Sequence, residues 1–260
     1  VHVQLDRHAF QGKRPVGGCH PTQFAGRATF DGVVACVPWP RQALATALPA
    51  GIELAPAVEP RSTHPLLIVF GEQRDPAVLR AGFALPMGRA YGELGVFVPY
   101  ARVAGADRLC TYVLSMHSTY FPAVWEGNTR YFSKALGNMR WHGTAFVATT
   151  DAGAPLVDAL VAPAGEWRPA ADGTRDDVRP ILDAVTLPIV GRPANGSLAT
   201  TCFGWEFETA SVRPVALSLA IAGALVGAET TREIAVPAGD ALAVRGMTWR
   251  LGWPAPLSAA

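Results

Sequence analysis

Glycine and proline recur along the whole chain, 26 and 22 of them in 260 residues, with no long stretch free of both. Such spacing fits many short strands joined by turns. The apolar runs between these breakers support that reading. Gly32–Val37, Leu66–Phe70, Tyr91–Tyr100, Leu109–Met116 and Trp141–Thr149 are predicted as strands. In the last third Ala199–Phe207, Val212–Ile221 and Ala241–Trp253 are predicted likewise, and Met247, Trp249 and Leu251 alternate with Thr248 and Arg250. Pro40–Leu48 reads as a short helix, begun by Pro40 and ended by Pro49-Ala50-Gly51. Residues 151–180 are richer in Asp, Ala, Pro and Gly and read as loops, with a short helix near Val178–Ala184. No βαβ alternation and no Gly-rich phosphate loop occurs. The predicted architecture is α+β but mainly β: a curved or closed, mostly antiparallel sheet with a few helices. A single domain over 1–260 is expected, with 1–28 as an N-terminal extension.

Half of the residues are apolar, 17% are charged and the net charge is +1. That composition builds a well-buried core. It offers no basic, aromatic-interleaved run for nucleic acid and no span of about 20 apolar residues for a membrane. Cys19, Cys36, Cys110 and Cys202 are scattered without a Cys-x-x-Cys pair. Reduced thiols in a cytoplasmic protein are expected, and Val1–Arg7 is not read as a signal peptide. The six histidines are equally dispersed, so neither metal nor cofactor is expected.

Of the 22 basic residues only Lys13 and Lys134 are lysines. Arginine serves as a surface charge as well as lysine does, but only an amine can lose its proton and attack a carbonyl. Lys13 lies in a polar stretch. Lys134 lies in the largely apolar Tyr131-Phe132-Ser133-Lys134-Ala135-Leu136-Gly137.

The segment Gly127–Gly137 resembles the lysine motif of acetoacetate decarboxylases, in which a Gly-Arg-Glu stretch leads to aromatic-Pro-Lys-Lys-Leu-Gly. Two further segments resemble that family in the same order. Pro38–Leu54 is similar to its early helix, and Tyr91-Gly92-Glu93 to its Tyr-x-Glu. Pro193-Ala194-Asn195-Gly196 is similar to a turn in its C-terminal half. The resemblance runs from about residue 30 onward. It implies a closed β-cone, a homo-oligomer, a small oxo-acid substrate and Schiff-base catalysis. Lys134 would be the nucleophile and Glu93 the active-site carboxylate. Arg27 or Arg130 would hold the substrate carboxylate. Trp125, Tyr131 and His117 are further pocket candidates, as are Tyr112 and Tyr120.

A free lysine is neutral in roughly one molecule in 2,500 at pH 7, so such a site must remove the proton. The family's second lysine is replaced here by Ala135, and its proline by Ser133. Desolvation by Phe132, Leu136 and Trp125 is therefore expected to supply the activation. A second family glutamate falls near Phe70 or Gly71, where Glu72 is the nearest carboxylate. Decarboxylation is the parent reaction. With these neighbours altered, aldol condensation with dehydration, or its reverse, stands close behind. A ligand-binding or cyclase role without an imine is the remaining alternative.

Overall fold

The computed structural model describes residues 24–58, 61–80, 83–170, 179–194, 196–206 and 209–257. Their strands are β1 (Phe24–Pro40), β2 (Ile52–Leu54), β3 (Thr63–Arg80), β4 (Phe83–Pro86), β5 (Tyr91–Val103), β6 (Leu109–Ser118), β7 (Ala135–His142), β8 (Ala145–Thr150) and β9 (Pro155–Pro163). The later ones are β10 (Arg168–Pro169), β11 (Ile189–Gly191), β12 (Ala199–Thr201), β13 (Phe203–Glu206), β14 (Ser211–Ile221), β15 (Arg232–Val236), β16 (Ala241–Gly252) and β17 (Ala255–Pro256). Helices α1 (Arg41–Ala47), α2 (Phe121–Glu126) and α3 (Arg179–Val185) are short.

Pairing closes a ring in the order β1–β3–β5–β6–β7–β8–β9–β14–β16 and back to β1. All of these contacts are antiparallel except the short β6–β7 pairing at His117–Ser118. The mostly antiparallel sheet, expected as curved or closed, is observed as a closed ring. Closure removes sheet edges that would otherwise invite pairing with another chain.

Residue parity divides this ring into two faces. Leu66, Ile68 and Phe70 of β3 and Leu94, Val96 and Val98 of β5 point into the interior, where they meet Phe146, Val157, Leu217 and Leu219. The alternate residues of β3, Leu67, Val69 and Gln73, face outward, as do Glu93 and Phe97 of β5. They are roofed by α3 and by β11 and β13. The site described below lies on this outer face.

Several expectations are corrected. Residues 155–163 form β9 rather than a loop: Leu156, Val157, Ala159 and Val161 are buried, Asp158 and Leu160 exposed, and the segment bridges β8 and β14. Trp141–Thr149 is not one strand, because a turn at Gly143–Thr144 divides β7 from β8. Ala199–Phe207 breaks at Cys202 into β12 and β13. Cys36 and Cys110 are free and buried, but Cys202 takes part in a disulfide, against the reduced-thiol reading. Cys202 is exposed in the gap between two strands, and its bond owes nothing to local cysteine spacing. Cys19, Lys13, Val178 and Asn195 lie outside the described residues. β1 begins at Phe24, inside the stretch expected as an extension, and Arg27 pairs with Arg250 of β16.

Where β1 crosses β3, Gly32 faces Gly71. A Cβ on Gly32 would stand 2.3 Å from the Phe70 carbonyl oxygen, so only glycine allows this approach. At the start of α1, His64 is fully buried. Its Nε2–H donates to the Pro99 carbonyl at 2.7 Å, and its Nδ1 accepts from the Arg41 guanidinium at 3.3 Å. Burial, with Arg41 adding to it, pushes its pKa down to about 3. Unfolded chains therefore bind a proton between about pH 6.5 and 3 that the native protein refuses, and stability falls as pH drops through that window. The urea midpoint is expected to decline from pH 6.5 toward pH 4, with a shallower decline in His64→Gln. Equal slopes in the two proteins would show that His64 is not the titrating group.

Candidate active site

Lys134 sits between a helical turn and β7, and its position is set by the turn. Chain 121–126 forms α2, which continues as one π-helical turn over Gly127–Tyr131. Asn128 then clamps the lysine backbone from both sides. Its Oδ1 accepts from the Lys134 amide at 2.9 Å, and its Nδ2 donates to the Lys134 carbonyl at 2.8 Å. The Ser133 amide is anchored on the Arg192 carbonyl at 2.8 Å. The lysine stem runs over Gly127, where an added Cβ would lie 2.9 Å from both Cγ and Cδ.

Gly127 has helical φ and ψ, −54° for each, so the missing side chain answers a need for space and not for backbone freedom. Gly127→Ala should therefore keep or slightly raise stability, since alanine is favoured by about 1 kcal/mol in a helix. It should lower kcat by displacing the amine, about tenfold or more. Thermal melting beside turnover checks this; a melting loss in step with the activity loss would contradict it.

The Lys134 Nζ lies 2.6 Å from Glu93 Oε2, and the two side chains are only 10% and 12% exposed. Glu93 stands on β5 opposite Gly71 of β3. Its second oxygen, Oε1, accepts from Gln73 Nε2 at 3.2 Å, and Gln73 Oε1 accepts from Trp249 Nε1 at 2.7 Å. Trp249, Gln73, Glu93 and Lys134 thus form one hydrogen-bonded line across β16, β3 and β5. Both Glu93 oxygens are occupied, which fixes the carboxylate plane beneath the amine. The Phe132 ring centre is 5.5 Å from Nζ.

Two cavities meet at Lys134 and share Phe132, Trp249 and Leu251 as walls. The smaller, about 50 Å³, contains Arg27, Tyr91, Glu126 and Tyr131. Burial first, then the nearby Glu93 and Glu126, raises the Tyr91 pKa well above the usual phenol range. Burial and Glu126 do the same for Tyr131. Both phenols therefore stay protonated and can donate. The larger cavity, about 80 Å³, has Glu93 and Gln73 on its floor and walls that include Phe30, Phe97, Met116 and Phe203.

Of the residues singled out in the sequence, Lys134, Glu93, Arg27 and Tyr131 come together around these cavities. Several others do not line them. Trp125 is 56% exposed: α2 buries Ala123 and Val124, which turns Trp125 to solvent. Leu136 is half-buried beyond the pocket, so of the three expected desolvating residues only Phe132 reaches it, with Trp249 and Leu251 in the others' place. Arg130 lies over the Trp253 ring and 3.9 Å from Glu126, whose charge it offsets. His117 faces away from Met116, its neighbour in the cavity wall, and packs toward Gly137. Burial holds His117 neutral, and its Nδ1 has no hydrogen-bond partner among the described residues.

Tyr112 belongs to the ring interior, and Tyr120 stacks on Tyr91 while its hydroxyl donates to the Met87 carbonyl. Glu72 is exposed on the opposite side of β3 from Gln73. Gln73, Asn128 and Trp249 are the site residues that sequence reading missed. Among the described residues no group of three His, Cys, Asp or Glu could hold a metal, and no helix is long and apolar enough to cross a membrane.

No protein-family model matches the chain, and no curated protein sequence does. Solved structures do match it. The enduracididine biosynthesis enzyme MppR in complex with pyruvate superposes with a TM-score of 0.62 at 12% identity, over 94% of this chain and 99% of that one. This chain has the acetoacetate decarboxylase-like fold. The acetoacetate decarboxylase from Legionella pneumophila subsp. pneumophila str. Philadelphia 1 superposes with a TM-score of 0.56 at 15% identity, over 92% and 87% of the two chains. An acetoacetate decarboxylase-like enzyme from Sphingomonas wittichii RW1 does so with a TM-score of 0.57 at 11% identity, over 92% and 94%. At these identities the shared acetoacetate decarboxylase-like architecture is what is established, and the chemistry must be argued from the site.

Proposed function

We propose that the protein is a carbon–carbon lyase that decarboxylates an oxo acid through a Schiff base on Lys134. The observation that carries this reading is the 2.6 Å contact between a secluded amine and the fixed Glu93 carboxylate at the junction of two cavities. Glu93 takes a proton from the Lys134 ammonium, and the neutral amine adds to the substrate carbonyl. Loss of water, with one proton taken up from solvent, leaves a protonated imine. The bond to the carboxylate then breaks, its electron pair moves toward the imine nitrogen, and CO₂ departs from an enamine. Glu93 returns its proton to the enamine carbon, and water hydrolyses the resulting imine to free the ketone and the amine. Gln73 and Trp249 hold Glu93 in place for both transfers.

Arg27, with the Tyr91 and Tyr131 hydroxyls, holds the substrate carboxylate in the smaller cavity. Arg130 acts at one remove, by offsetting the Glu126 charge beside that cavity. Trp125 and His117 have no part in this scheme.

A second reading has its own support. Ala135 leaves the amine without the adjacent lysine, and a separate apolar chamber offers room for a second carbonyl compound. MppR has been solved with the condensation product of pyruvate and imidazole 4-carboxaldehyde. On that reading the same Lys134 enamine adds to an aldehyde and the adduct loses water. Assaying 3-oxo acids for CO₂ release, beside pyruvate plus aldehydes for a conjugated ultraviolet product, separates the two. CO₂ release from the oxo acid alone is the expected result. A conjugated product without CO₂ release would overturn decarboxylation in favour of condensation.

A further inference from the structure

The geometry points to a substrate class: a 3-oxo acid whose reacting carbonyl carries an apolar tail of several carbons or one aromatic ring, favoured over acetoacetate. This rests on the Schiff-base reading of Lys134. The two cavities flanking that lysine differ in chemistry. The smaller offers Arg27 and two protonated phenols. In the larger, every polar group beyond the Lys134–Glu93 pair is already engaged. Gln73 is bonded to Glu93 and Trp249. Trp205 Nε1 donates to the Val185 carbonyl at 2.9 Å, and Thr111 Oγ1 donates to the Ala184 carbonyl at 3.2 Å. A carboxylate placed there would lose water and gain no cation beyond Lys134 itself. The acid end of the substrate therefore belongs on the Arg27 side and the tail in the chamber.

Size narrows the class further. A methyl group would leave most of an about 80 Å³ chamber unfilled, and its walls above the Glu93 and Gln73 floor are largely apolar. Each methylene that fills it should raise kcat/KM about fourfold, until the walls at Phe203 and Ile189 are reached. The product is then a methyl ketone bearing that tail, formed with loss of CO₂ and gain of one proton.

The test compares acetoacetate, 3-oxohexanoate, benzoylacetate and 3-oxoadipate as substrates of the wild-type protein, with borohydride trapping of each in parallel. The expected result is a rise of roughly tenfold or more in kcat/KM from acetoacetate to 3-oxohexanoate and benzoylacetate, and no rise for 3-oxoadipate. In Val69→Phe, which fills the chamber from β3, the ratio of 3-oxohexanoate to acetoacetate should fall toward one. Trapping of all four acids with no gain from the apolar tail would overturn the tail proposal and leave the Schiff base standing. Absence of a trapped adduct with every acid would overturn both.

Discussion

Lys134→Arg is expected to lose at least about 10³-fold in kcat while remaining folded. A guanidinium keeps the positive charge and can still bond the Glu93 carboxylate, but it does not deprotonate and cannot become an imine. The charge balance of a pair whose members are only 10% and 12% exposed is therefore preserved while the nucleophile is removed. Lys134→Ala provides the contrast. It leaves the Glu93 carboxylate secluded and unpaired, which should cost about 3–5 kcal/mol of stability in addition to the activity. Steady-state kinetics and urea unfolding on both variants separate chemistry from folding. Full activity in Lys134→Arg would end the account.

The second large effect is at Glu93. Glu93→Gln keeps the shape and can still bond Gln73 and Lys134, but it cannot carry a proton. A drop in kcat of about 10²–10⁴ is expected, the range for loss of a positioned acid–base group. KM should change far less, because the carboxylate-binding groups lie in the other cavity. The loss should also leave Lys134 as an uncompensated buried charge, so some destabilisation accompanies it. A variant that keeps wild-type kcat with an altered KM would place Glu93 in substrate binding and not in proton transfer.

Much of this arrangement was readable from the chain, for identifiable reasons. The ring of strands follows from apolar alternation and frequent breakers. Glu93 could be placed because strand parity puts it on the same face as Tyr91 and Phe97, and those residues do line the two cavities. Lys134 stood out by residue chemistry and by its apolar setting. What escaped was long-range pairing. The sequence offers Glu72 where a second carboxylate is sought, but the β3–β5 register sets Gly71 against Glu93 and puts Gln73 on the same outer face. Gln73 meets Trp249 across 176 positions of sequence, which no local pattern encodes. Trp125 was misjudged because proximity in sequence suggested proximity in space. On a six-residue helix one step of about 100° is enough to turn a side chain from pocket to solvent. β9 reads as loop because its Pro, Asp and Ala content hides the alternation of buried and exposed residues over 157–161. Gly127 carried no visible signal, since its role is to leave room for another residue's stem.

Catalysis as proposed requires the Lys134 amine to form a covalent imine with an oxo acid. Borohydride reduction in the presence of acetoacetate or 3-oxohexanoate, followed by peptide mass spectrometry, tests it most directly. One stable adduct per chain is expected, on Lys134 and absent from Lys134→Arg. A protein left unmodified by every oxo acid tried, or modified on Lys13 instead, would contradict it.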